Sequence, residues 1–257
     1  MPGYKIIVNP AEVVYIYDGS IVGFLTCVHR SFYSKELPAN ILSESKYEPS
    51  IYEQKYISTD QSKAAAVRQS IVKNISKRAL ELVDHVFLCH HENKELALLK
   101  FLITAFRVGA GAVDMRGEKE VADVIAMERH LMGEQHLLLG FVRFKDYGDM
   151  LGAVISPKNF VLPLLAEHFV SRFPNENFMI YCKTYKAALI YQNKKLEFAN
   201  IEEIQFTDDS DEELHYQDLW KNFYKTIGIK ERLNPKCRMS HMPKRYWHNM
   251  TEMKEFL

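Results

Sequence analysis

"NFVLPLLAEHFVSRFPNENFMIYCKTYKAALIYQNKKLEF", Asn159 to Phe198, changes its hydrophobic period part-way along. In the first half Leu165, Phe169 and Phe173 recur four residues apart, the spacing of one face of an α-helix. The second half, from Asn177, breaks into short runs rich in Ile, Tyr, Leu and Phe, which read as two or three strands. Just upstream, "LLLGFVRF" (137–144) and "MLGAVIS" (150–156) read as two more short strands around the turn "KDYGD" (145–149). A strand pair, one helix and a strand group predict an antiparallel sheet over about 137–199, with the 160–172 helix lying across it.

Toward the N-terminus the pattern is different. "EVVYIY" (12–17) reads as a strand, Asp18 to Ser20 as a turn and helix cap, and "IVGFLTCVHRSFY" (21–33) as an apolar helix. A polar, Ser-rich connection (43–62) leads to helices over roughly 62–84, 93–107 and 118–137, broken at "RVGAGAVDMRGE" (107–118). The fold class expected is therefore α+β. A mainly helical region, residues 1–136, opens with strand, turn and helix, and an α+β region, residues 137–257, ends in a basic tail.

With 257 residues and 47% hydrophobic content, the chain has the composition of a globular protein. The N-terminus "MPGYKIIVNPAEVVYIYD" lacks the basic start and long apolar core of a secretory signal, and no apolar run approaches membrane-spanning length. A cytoplasmic location without membrane association is expected. Cys27, Cys89, Cys182 and Cys237 are far apart with no Cys-x-x-Cys pair, which suggests neither a disulfide framework nor a zinc knuckle.

Lys plus Arg (33) equals Asp plus Glu (33), but the charges are segregated along the chain. "IEEIQFTDDSDEE" (201–213) carries seven acids and no Lys or Arg, whereas Lys230 to Arg245 carries six Lys or Arg against one acid, Glu231. "KAAAVRQSIVKNISKR" (63–78) holds five bases and no acid, with Ile71, Ile75, Ala79 and Leu82 on one helical face and Lys63, Lys73 and Lys77 opposite. That face is either an ordinary solvated surface or a phosphate-contacting ridge.

Four motifs combine residues with chemical potential. "YDGS" (17–20) supplies a turn and a helix cap, or amides at a helix start for an anion. "ERHLMGEQH" (128–136) gathers Glu128, His130, Glu134 and His136, but no second His shares a face with His130 within a turn, so no metal site is expected. Glu134 is expected to pair with Arg143, which orients the guanidinium for a phosphate or stabilises the core. "CHHE" (89–92) points its groups in different directions. In "AEHFVSRF" (166–173), His168 and Arg172 share a face as an anion-contacting couple or as an ordinary exposed pair.

No Gly-x-Ser-x-Gly, Walker loop, dinucleotide fingerprint or Cys triplet for a radical cluster is present, and no cofactor is expected. What remains is suited to contacting phosphates by charge and unpaired bases by stacking. Arg232, Lys236, Arg238, Lys244 and Arg245 offer backbone contacts, with Trp247 placed to stack or to anchor the tail. The acidic segment can also fold onto these bases.

"YIYDGSIVGFLTCV", "GEQHLLLGFVRF", "LLAEHFVSRFPNENFMIY" and "RLNPKCRMSHMPKRYW" stand in the order of a bacterial family labelled probable DNA metabolism protein, which the chain resembles over most of its length. The C-terminal part of that family is a domain of unknown function. The resemblance implies a role with DNA and partnership with a radical S-adenosylmethionine protein or with a uracil-DNA-glycosylase-like protein, since the same module is sometimes fused to a domain of the latter kind. The expectation is a nucleic-acid-binding accessory protein in DNA metabolism or repair, contacting DNA through Arg143, His168, Arg172 and the tail. The alternatives are an enzyme acting on DNA or a nucleotide through Glu134, His136 and His168, and a pure protein-interaction adaptor.

Overall fold

Val13 to Tyr17 form an uninterrupted apolar run in which every side chain is buried, as a strand covered on both faces requires. They belong to β1 (Asn9–Tyr17), the central strand of a three-stranded sheet ordered β2-β1-β3, with β2 (Glu36–Ser43) and β3 (Glu53–Tyr56) both parallel to it. The protein is described by a computed structural model covering residues 9–46, 49–204, 206 and 208–257. Parts of the Ser-rich connection and of the acidic 201–213 segment, and the side chain of Lys230, lie outside the described residues.

The chain divides into two compact units, Met1–Leu131 and Met132–Leu257. In the first, the turn after β1 is built around Asp18, whose Oδ1 accepts from the Ser20 amide (2.9 Å) and hydroxyl (2.7 Å) and whose Oδ2 accepts from Thr59 Oγ1 (2.7 Å). Gly19 takes φ +84°, the left-handed conformation that glycine tolerates best. Ser20 then caps α1 (Ile21–Ser34) by accepting from the Gly23 amide. Asp18 and Ser20 thus serve as the turn and cap residues of "YDGS", with the Ser20 and Gly23 amides bonded inside the turn.

Four further helices complete this unit: α2 (Gln61–Asn74), α3 (Lys77–Phe87), α4 (Lys94–Val108) and the start of α5 (Lys119–Phe141). A single helix over 62–84 is not found. Ile75 leaves helical geometry and Ser76 caps α3 by accepting from the Ala79 amide, so Lys63 and Lys77 stand on different helices and form no common ridge. The Ser-rich connection contains β3, and β2 precedes it; neither strand was visible as an alternating apolar pattern, since both lie at sheet edges with mixed burial.

In the second unit a five-stranded sheet runs β4-β5-β6-β7-β8, comprising Lys145–Asp146, Leu151–Ile155, Phe178–Cys182, Ala187–Gln192 and Lys195–Asn200. Three of its four pairings are antiparallel. β5 and β6 are parallel, joined by the crossover helix α6 (Leu162–Arg172), which packs on β7. The expected sheet with a covering helix is thus present, with one parallel pairing inside it. The expected strand "LLLGFVRF" is a correction: α5 runs through Phe141, because Met, Glu, Gln and Leu favour helix and Leu131, Glu134 and Leu138 recur on its buried side.

On one face of the sheet Phe178 meets Phe144, Phe173 and Tyr191, with Phe169 from α6 against Phe144 at 5.4 Å between ring centroids. Met179, Tyr181 and Ala188 lie buried on the opposite face, packed by Met150, Val154, Ile190, Ile201, Ile204 and Phe206. Beyond β8 come α7 (Asp211–Ile227), α8 (Pro235–His241) and three 3-10 helices, Lys230–Arg232, Lys244–Asn249 and Thr251–Phe256. No helix among the described residues is long and apolar enough to cross a membrane.

Candidate functional site

Glu134 was expected to meet Arg143; instead it is the buried hub of the tail's return path. Its carboxylate accepts from Tyr246 Oη (2.7 Å), from the Lys158 and Asn159 amides (2.9 and 2.7 Å) and from Asn159 Nδ2 (2.7 Å), with Arg245 Nη2 at 3.3 Å. Burial opposes its ionisation, but the Tyr246 bond and these amides together outweigh that and hold the carboxyl below its ordinary value. Burial, followed by the bond to Glu134, pushes the Tyr246 phenol well up. Glu134 thus ties α5, the loop before α6 and the tail together. His136 and His168 are exposed, and neither joins it in a proton-transfer group.

Arg143 has a different carboxylate. Its Nη2 and Nε donate to Glu252 at 2.5 and 3.2 Å, Nη1 donates to the carbonyls of Gly140 and Val142, and the guanidinium lies 5.2 Å from the Trp220 ring centroid. Trp220 Nε1 also donates to Glu252 (2.9 Å). Burial raises the Glu252 pKa, yet Arg143 and Trp220, with a backbone bond, bring it below the ordinary carboxylate value. Nothing in the local sequence pairs Arg143 with a residue more than a hundred positions away, so only the fold could select Glu252 over Glu134.

Beside this pair an open cleft of about 580 Å³ is lined by Lys145, Tyr147, Phe206, His248 and Lys254, among others. Tyr147 and Phe206 stack at 5.0 Å and 22°. Their rings pass over Gly152, where an added Cβ would sit 2.7 Å from Tyr147 and 2.8 Å from Phe206. Lys145 is held by Asp209 at 2.6 and 2.7 Å, and Gln217 bonds the same carboxylate. Burial, with Asp209 and Glu213 next, raises the Tyr147 pKa.

The tail displays its cations in short helical turns. Asn234 caps α8 by accepting from the Cys237 amide, and Pro235 opens that helix, where a missing amide proton does no harm. Arg232, Lys236 and Lys244 are exposed, and with Arg238 they have no ion-pair partner among the described residues. Arg238 lies over Phe256 (4.5 Å) and Trp247 (5.3 Å), and Lys244 lies over the same indole at 5.7 Å. Trp247 is 2% exposed and donates to the Met242 carbonyl, which makes it an anchor and leaves no ring face free for a base. Tyr246 is equally buried.

The acidic segment engages other bases: Glu202 pairs with Lys186 and Asp209 with Lys145, while Glu213 accepts from the Asp146 amide. His168 and Arg172 share the exposed side of α6, where Arg172 lies 5.7 Å from the Phe173 ring centroid. They are not brought into the contacts of Arg143 or of Arg245. In the first unit, Glu128 receives Arg78 and His85 Nδ1 (2.7 Å), a pairing sequence spacing could not reveal. Burial works against that carboxylate, but His85 and Arg78 lower it to about 2.

The match to known families falls on this region. The chain belongs to the DUF4130 family. That family, described as a domain of unknown function, matches residues 92–252, more than half of the chain. The matched region takes in Glu134, Arg143 and the tail as far as Glu252. No curated protein and no solved structure matches the chain. Among the described residues no His, Cys, Asp and Glu side chains are grouped in threes so as to hold a metal ion.

Proposed function

We propose that this DUF4130-family chain is a cytoplasmic, nucleic-acid-binding accessory protein of bacterial DNA metabolism or repair, working with a radical S-adenosylmethionine or glycosylase-type partner. The partner follows from the family resemblance described above. The observation that carries the binding reading is the set of cations without an ion-pair partner on the tail, Arg232, Lys236 and Lys244 in solvent and Arg238 half-buried over Trp247 and Phe256, among the described residues. An exposed cation without an internal carboxylate gains most from a phosphate, whose binding releases counterions. These side chains form no base-reading motif, so binding is expected to be weakly sequence-selective.

Fluorescence anisotropy with labelled DNA of two unrelated sequences tests this. If all four cations contact duplex phosphates, log K should fall with log salt at a slope of about −3.6. Lys236→Ala should weaken both sequences similarly and reduce the slope by about one unit. Absence of DNA binding at low salt, with the wild-type chain alone and with its partner, would rule this function out.

The adaptor reading has support of its own. Tyr216, Leu219, Phe223 and Ile227 recur at helical spacing on α7 and are all exposed, as a partner-facing stripe would be. Phe223→Asp should then abolish co-purification with the partner while leaving DNA affinity unchanged. The catalytic reading receives no comparable support, because Glu134 is buried and occupied while His136 and His168 stand apart from it.

A further inference from the structure

A second open cleft, also of about 580 Å³, lies in the first unit, wholly outside the family-matched residues. The C-terminal half of α1 contributes His29, Arg30 and Tyr33, the end of edge strand β3 contributes Lys55 and Tyr56, and the first turn of α2 contributes Lys63. No carboxylate lines it. Asp60 stands just beside it, but its Oδ1 accepts from the Ser62 amide and hydroxyl and from the Lys63 amide, and its Oδ2 is 3.0 Å from Lys63 Nζ. Glu36 is likewise engaged, by Tyr15 Oη (3.0 Å) and Lys55 Nζ (3.2 Å).

Both neighbouring acids are therefore committed by direct bonds, while Arg30, which lies within electrostatic range of Glu36, is exposed and forms no salt bridge among the described residues. An unpaired guanidinium presents a planar fork of donors that matches two phosphate oxygens. Lys55 and Lys63 each keep ammonium protons beyond their single carboxylate partner.

The aromatic residues are as unusual as the charge. Tyr33 and Tyr56 are 79% and 65% exposed, and neither hydroxyl bonds a protein group among the described residues. The Tyr33 ring lies nearly parallel to His29, at 6.3 Å and 11°, and most of its surface remains in solvent. Large apolar rings left in water beside a cationic cleft suit a ligand that is both planar and anionic. The volume lies within the range of small-molecule sites.

From this geometry we infer that the cleft of His29, Arg30, Tyr33, Lys55, Tyr56 and Lys63 binds a nucleoside 5′-phosphate, with the phosphate on Arg30 and the base against the Tyr33 and Tyr56 rings. A free mononucleotide and the phosphorylated end of a single strand share this chemistry. The inference does not rest on the tail, which is built from other residues.

Isothermal titration calorimetry of the full chain tests it with adenosine 5′-monophosphate, adenosine, inorganic phosphate and tetradeoxyadenylate with and without a 5′-phosphate. The monophosphate should bind at least about tenfold more tightly than adenosine or phosphate alone, since charge and stacking act together. Arg30→Gln should remove about tenfold of that affinity and leave adenosine unaffected. Tyr33→Leu combined with Tyr56→Leu should weaken the monophosphate without changing phosphate. These positions are exposed, and unchanged circular dichroism will show that the variants fold. A phosphorylated tetranucleotide that binds more tightly than the monophosphate, with the same Arg30 dependence, identifies a strand end; the reverse order identifies a free nucleotide. The inference is overturned if no nucleotide binds, if phosphate binds as well as the monophosphate, or if binding ignores Arg30→Gln and vanishes with Lys236→Gln and Lys244→Gln.

Discussion

At the scale of single residues, the strongest consequence is drawn from Glu134. Its carboxylate satisfies two backbone amides, one side-chain amide and a phenol in a buried place. Glu134→Ala strands all four donors, and about 3–5 kcal/mol of stability should be lost in chemical denaturation. Tyr246→Phe removes one donor and leaves the others paired, so its cost should be only about 1–2 kcal/mol. Equal costs would show that Glu134 acts chiefly through packing. The sequence singled out Glu134 as one of the acid and imidazole groups gathered in "ERHLMGEQH", but assigned it the wrong cation. Arg143 was nearer in sequence; Arg245 and Tyr246 are more than a hundred residues away, and proximity along the chain was the only guide to pairing.

At the scale of elements, glycine positions show how tightly the turns are set. An added Cβ at Gly23 would lie 2.2 Å from Asp18 Oδ1 and 2.9 Å from Thr59 Oγ1, so a side chain at residue 23 must displace the Asp18 and Thr59 groups that build the turn. Gly23→Ala should dismantle the Asp18 turn and lower stability by about 1–3 kcal/mol in a thermal melt. A melting temperature unchanged from wild type would mean the turn relaxes freely. Gly152→Ala should act locally, displacing the Tyr147 and Phe206 rings, and near-ultraviolet circular dichroism should register it. The helix α6 and strands β6 to β8 were legible because a period of four gives way to short apolar strands. β2 and β3 were not, since edge strands with half-exposed, polar residues carry no alternation. The end of α5 was misread because a run of leucines fits a buried strand as well as a helix.

At the scale of the whole molecule, the balance of 33 bases and 33 acids conceals two unrelated arrangements. Many acids are engaged by partners within the chain: Asp18, Glu36, Asp60, Glu128, Glu134, Asp209 and Glu252 all have depressed pKa values. A depressed carboxylate contributes stability that is present above its unfolded pKa and lost as pH falls through the folded one. For Glu128 the window runs from the ordinary value of 4.5 down to about 2, and its full contribution is about 3 kcal/mol. Melting temperature should therefore fall steeply below about pH 4.5, and Glu128→Gln should be less stable at pH 7 yet lose less on acidification. A variant that tracks the wild-type pH dependence in parallel would show that His85 and Arg78 do not stabilise the ionised form.

The sequence by itself determined the α+β class, the helix-on-sheet plan of the C-terminal half, the Asp18 turn and the presence of a cationic tail. Each is written in local terms, as a hydrophobic period, a capping residue or a run of like charge, and such signals act over a turn or a strand length. Tertiary structure alone decided which carboxylate takes Arg143, that Trp247 is anchored in the core, that β5 and β6 run parallel, and that Arg30, Tyr33 and Tyr56 line one cleft. Those outcomes depend on residues far apart in the chain competing for the same partner. The winner is set by which donors and rings the packed backbone brings within reach, a quantity no local pattern encodes.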